Sequence, residues 1–251
     1  MEYTKLSETV KIKKISETEN SGIFEIEGLY VGYGLTLGNA LRRALLSSLP
    51  GAAVTQIKIK GVKHEFSTIS GVKEDLIEII LNLKKIRFKF FADEPQTLIL
   101  KAKGEKKIKA ADIETNSSVE IINSDSPIMT LTAKSSEIEM ELTVEKGLGY
   151  VPVESRKTEK LPIGVIAIDA IFTPVKNVNF IVENMRVGER TDYNKLKLMI
   201  ETDGSISPSS ALHKAVNILK DHVDKISEVE VKNFGEEIAP KKKETKKKAK
   251  K

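Results

Sequence analysis

A mixed α+β fold is predicted for this chain of 251 residues. Strand-like alternation recurs along most of its length, only three segments carry helical spacing, and no repeat of 20 to 50 residues is visible. In order, "SGIFEIEGL" sets Phe24 and Ile26 opposite Ile23, Glu25 and Glu27, which predicts a strand. A helix is expected over 36–49, with Thr36 as its cap and Pro50-Gly51 as its stop. "VTQIKIKGV" sets Thr55, Ile57 and Ile59 against Gln56, Lys58 and Lys60. A second helix is expected over 72–86, capped by Ser70, with Leu76, Ile79, Ile80 and Leu83 on one face. "RFKFF", "TLILKAKG", "EIEMELTVEKG" and "IGVIAIDAIF" read as strands, the cleanest being the series Ile138, Met140, Leu142, Val144. "VNFIVENMRV" and "NKLKLMIETDG" predict a late strand pair. A third helix over 208–226 follows a Ser207 cap with proline in its first position.

Composition removes several function classes. There are no cysteines, hence no disulfides or thiolate metal sites, which suits a reducing cytoplasm. His64, His213 and His222 are scattered, and the last two fall on opposite sides of a helix, so no histidine metal site is expected, which leaves oxygen-only Mg²⁺ binding open. No apolar run reaches the roughly 18 residues of a membrane span. The start, "MEYTKLSETVKIKK", has no apolar signal core, so the expected location is cytoplasmic. The net charge of +5 resides in residues 236–251, which hold eight lysines and three glutamates; the rest balances at 33 basic and 33 acidic residues. Lysines this dense repel one another and bury nothing, so 234–251 is expected to be a disordered tail. Such a tail reads first as a solubilising end, and second as a weak, salt-dependent attraction to DNA phosphates without base readout.

The stretch "GYGLTLGNALRRALLSSLPG" poses the functional question. A dinucleotide fingerprint needs a third glycine where Leu37 stands, and no Gly-Lys-Ser/Thr triplet follows, so the glycines read as a tight backbone path rather than a phosphate cradle. Leu37, Leu41, Leu45 and Leu49 repeat every fourth residue, beside the small Ala40, Ala44 and Ser48. The third helix has a matching stripe of Leu212, Ala215, Val216, Leu219, Val223 and Ile226. Periodicity leaves two uses open: each helix covers its own sheet, or the two ridges meet a second copy. Arg42 and Arg43 face away from the leucines, as solvated charges or as an interface marker. Acidic groups (Glu74, Asp75 and Glu78; Glu137, Glu139 and Glu141) lie opposite apolar series and read as solvent faces. No D-x-D-x-D cluster for two-metal nucleotidyl transfer and no nucleophile–histidine arrangement is visible, so no catalytic residue and no cofactor is expected on this chain.

The run T-L-G-N-A-L-R-R-x-L-L-S-S-x-P-G resembles the N-terminal domain of the bacterial-type RNA polymerase alpha subunits. "GVKEDLIEIILNLK", "GYVPVESR", "PIGVIAIDAIFTPV" and "VENMRVGERTDYNKLKLMIETDGSISPSSAL" follow in the family's order. The resemblance implies a split dimerization domain, 1–51 and 172–233, with a β-rich domain inserted over 52–171. It implies a homodimer whose interface is drawn from Leu37, Leu41, Leu45, Leu49, Leu212, Val216, Leu219 and Val223. It implies a platform for the beta and beta-prime subunits, with Arg43 docking onto beta and with Lys84 and Arg190 near large-subunit contacts. DNA is then met through the assembled complex. The family usually continues into a small helical C-terminal domain that contacts promoter DNA and activators; here the lysine-rich segment follows instead, and those contacts are expected to be missing.

Overall fold

The computed structural model describes residues 6–62, 64–156, 162 and 164–229. The expected tail, 234–251, lies outside the described residues. Fifteen strands are named in chain order: β1 Lys11–Glu17, β2 Ser21–Leu29, β3 Pro50–Ile59, β4 Phe88–Phe90, β5 Gln96–Lys103, β6 Lys106–Lys109, β7 Ile113–Glu114, β8 Val119–Ile121, β9 Pro127–Leu131, β10 Glu137–Leu148, β11 Tyr150–Val151, β12 Val165–Ala167, β13 Ala170–Ile171, β14 Val175–Val187 and β15 Arg190–Thr202. The helices are α1 Tyr33–Ser47, α2 Leu76–Leu83 and α3 Pro208–Ser227.

The two ends of the sequence meet in one antiparallel sheet of order β1-β2-β15-β14. Its buried face carries Phe24 and Ile26 of β2 beside Leu196, Leu198 and Ile200 of β15. The helices α1 and α3 bring Leu41, Ala44, Leu45, Leu49, Ala211 and Ala215 onto that face, which closes one core.

A second core belongs to the middle of the chain. Its sheet runs β12-β3-β10-β5-β7. Register places Met140 between Ile59 and Leu100, and Leu142 between Ile57 and Leu98. All six are buried, and α2 contributes Leu76, Ile79 and Leu83 to the same core. The opposite face is ionic: Glu139 pairs with Lys101 at 3.0 Å, Glu137 with Lys103 at 3.0 Å and Glu141 with Lys58 at 3.6 Å. Exposed pairs of this kind keep a sheet face soluble and contribute about 0–1 kcal/mol each.

Three expectations are corrected. The helix after β2 starts at Tyr33, not Thr36; Gly32 occupies the cap, and the Thr36 hydroxyl donates back to the Gly32 carbonyl. The second helix is shorter than 72–86 and is capped by Asp75, which accepts from the Glu78 amide at 2.7 Å. Glu74, just before it, instead accepts from both the amide and the hydroxyl of Thr130 on β9. "IGVIAIDAIF" is two short strands, because Asp169 between them turns to accept the Val153 amide at 3.0 Å.

Candidate assembly interface

The glycines at the head of α1 serve close packing. A Cβ on Gly34 would lie 2.7 Å from Val182 of β14, and one on Gly38 would lie 2.7 Å from the Phe180 ring. Both distances are below contact, so the helix sits on the β14–β15 hairpin only with glycine there. The amides of Gly32 and Gly34 both donate to Oδ1 of Asn194 on β15, at 3.0 and 3.3 Å. Asn194 thereby supplies the cap that α1 lacks locally. The donors that a phosphate would need are already occupied.

With α1 held this way, its leucine ridge points into its own chain. Leu41, Leu45 and Leu49 are 5%, 0% and 1% exposed, and Leu37 is half-buried. Within the single chain Leu45 and Leu49 have no free surface, and Leu41 keeps only a small one. The core beneath α1 already takes up most of all three side chains.

The stripe on α3 is divided. Ala211 and Ala215 are buried, while Leu212, Ile218 and Leu219 pack half-buried against the first core. Val216 is exposed, and Val223 and Ile226 are 62% and 71% exposed. Between α3, α1 and the first two strands lies an apolar groove of about 620 Å³, with Ile12, Tyr33, Leu37, Val216 and Val223 among its walls. Lys220 and Asp224 also line it. Of the eight expected interface residues, Leu37, Leu41, Val216, Leu219 and Val223 line this groove, Leu212 packs half-buried against the first core, and Leu45 and Leu49 lie inside that core. Ile12 and Tyr33, absent from the expected set, join them. Ile12 stands between lysines on a strand that alternation had not flagged, and its exposed apolar side chain was the available signal.

The three expected docking cations differ in freedom. Arg43 is exposed on α1, and its guanidinium has no hydrogen-bond or ion-pair partner among the described residues. Lys84 reaches Asp169 at 3.4 Å. The Val153 amide, and secondly Lys84, hold the Asp169 carboxyl below its ordinary range. Arg190 makes two bonds to Asp192, at 3.0 and 2.7 Å, and lies 5.1 Å from the Tyr30 ring centre and 5.4 Å from that of Tyr193. The bond to Asp192, then that to Tyr30, raises the Arg190 pKa above its usual value.

One apolar surface was not anticipated. Ile77 and Leu81 on the outer side of α2, and Phe66 before it, are exposed. The sequence "LIEIILNL" is apolar nearly all round, which is the signal for a helix covered on more than one side. Among the described residues there is no group of three or more metal-ligating side chains, and no helix is long and apolar enough to cross a membrane.

Comparison with known proteins agrees with this architecture. Residues 57–173 match the family described as the RNA polymerase Rpb3/RpoA insert domain. The DNA-directed RNA polymerase subunit alpha of Roseiflexus castenholzii is 51% identical over 218 residues, covering 87% of this chain and 67% of the relative. That of Alkaliphilus oremlandii is 50% identical over 229 residues, covering 88% and 72%. That of Moorella thermoacetica is 52% identical over 202 residues, covering 80% and 64%. The chain thus spans about two thirds of the length of these relatives. Identity at this level, sustained across both cores, places the chain in the family of bacterial RNA polymerase alpha subunits.

Proposed function

We propose that the chain is the homodimeric platform on which the beta and beta-prime subunits of a cytoplasmic DNA-directed RNA polymerase assemble. The observation that carries the reading is the open half of α3. Val216, Val223 and Ile226 stand exposed beside an apolar groove on the same face. A two-fold axis would let the α3 of each copy fill the groove of the other, the self-complementary burial that symmetric dimers use. In this reading residues 1–51 and 172–233 form the dimerization domain, and 52–171 is an insertion that carries docking surface. Arg43 is the cation presented to beta. The Ile77, Leu81 and Phe66 surface belongs to the same large-subunit contact.

Catalysis then resides on the partners, and this chain contributes no reacting group, metal or cofactor. DNA is met through the assembled enzyme, with 236–251 adding weak, salt-dependent attraction to phosphates. The full chain should run as a dimer in size-exclusion chromatography with light scattering, and should capture beta and beta-prime when all three are mixed. A monomer at micromolar concentration would overturn the dimer. Failure of the dimer to retain beta would overturn the platform.

A further inference from the structure

The helix α3 is held over its first twelve residues, as far as Leu219. From Lys220 onward every described residue is exposed, so about 12 Å of helix extends past the last half-buried side chain. Core packing as far as Leu219 and the anchoring of the first turn together set the direction of that free half. The amide donors of the first turn are all accounted for. Pro208 has none, the Ser210 amide goes to the Ser207 hydroxyl at 3.3 Å, and the Ala211 amide goes to the Ser207 carbonyl at 2.9 Å. Only the Ser209 amide leaves the helix segment; it donates to Oε1 of Glu17, the last residue of β1, at 2.8 Å. Beside this bond Pro208 rests on Gly22, where a Cβ would lie 2.6 Å from that of Pro208.

We infer that Glu17 is the positioning residue that aims the free half of α3 at a second copy of the chain. The inference rests on the proposed dimer and assigns it a control point outside the contact itself. Ser207 shapes the first turn, but it travels with the helix; Glu17 ties that turn to the sheet. The groups facing its carboxylate are the Ser209 amide and hydroxyl from α3 and, from β1, the Lys14 ammonium at 2.9 Å. The Ser209 hydroxyl first, then the Lys14 ammonium and the Ser209 amide, hold its pKa down at about 2, against an ordinary value of 4.5. The anion is therefore the form that the docked helix selects.

Loss of the tether lowers the fraction of molecules whose α3 points correctly, and apparent affinity falls by that fraction. Both copies contribute an α3, so the fraction enters twice. A cap-sized loss of about threefold per chain becomes a loss of roughly tenfold in dimer affinity.

The experiment follows dilution-driven dissociation of the labelled full chain for wild type, Glu17→Ala, Glu17→Gln and Val223→Glu. At pH 7 Glu17→Ala should dissociate about tenfold more readily, and Glu17→Gln, which keeps an acceptor oxygen, by less. The advantage of wild type over Glu17→Gln should hold constant above pH 5. It should shrink as pH falls from the ordinary carboxylate range toward 2, because protonation removes the charge that separates the two. A merely structural residue would lower the melting temperature without that pH profile. The inference is overturned if Glu17→Ala and Glu17→Gln dissociate like wild type while Val223→Glu is monomeric. A wild type that is itself monomeric overturns instead the dimer on which the inference stands.

Discussion

The helices α1 and α3 carry the same kind of apolar stripe, yet one is consumed by its own chain and the other is left half open. The difference lies in what each helix meets. Two glycines let α1 sink onto the β14–β15 hairpin, so Leu41, Leu45 and Leu49 find a wall of their own. Past Leu219, α3 leaves the sheet behind, and Val223 and Ile226 find none. Spacing therefore states that a helix has a greasy side; only the extent of the neighbouring sheet states whether that side is spare.

The contrast can be broken by substitution, the heaviest blow first. Leu45→Ala should remove about 2–5 kcal/mol of folding stability, seen in denaturant unfolding, because the side chain is fully enclosed. Val223→Glu should leave the folding of the single chain within about 0.5 kcal/mol and abolish the dimer; the reverse pattern would exchange the roles of the two helices. Gly38→Ala should cost about 1–3 kcal/mol in thermal unfolding, since its Cβ meets the Phe180 ring at 2.7 Å. Asn194→Ala should cost about 1–2 kcal/mol by leaving the α1 amides uncapped, and Asn194→Asp, which keeps the acceptor, should recover part of it. Arg43→Ala should change unfolding least, by under about 0.5 kcal/mol, while weakening co-purification of beta.

Much of this was readable in the residues and some was not. β2 and β10 announce themselves because each has one wet and one dry face, which alternation records directly. Periodicity had no means of seeing that β2 pairs with β15, since pairing between strands so far apart in sequence leaves no local mark. Only the family resemblance suggested the interleaving. β1 went unread because lysines fill it, a feature of edge strands that deters further pairing. The cap of α1 was misassigned to Thr36 because local rules search for the acceptor nearby, whereas Asn194 supplies it from another strand. On α1, Leu45 and Leu49 were legible as apolar but not as already covered. Arg43 was legible as a charge facing away from them, and of the three expected docking cations it is the one without a partner among the described residues.

The bond from Asn194 to the head of α1 has a consequence for biosynthesis. A ribosome makes residues 32 and 34 long before residue 194, so the first helix leaves the exit tunnel with its leading amides unsatisfied and its leucines wet. Its seat arrives only when the closing hairpin has been translated. A truncated product that stops short of this point keeps an apolar helix face without the hairpin that covers it.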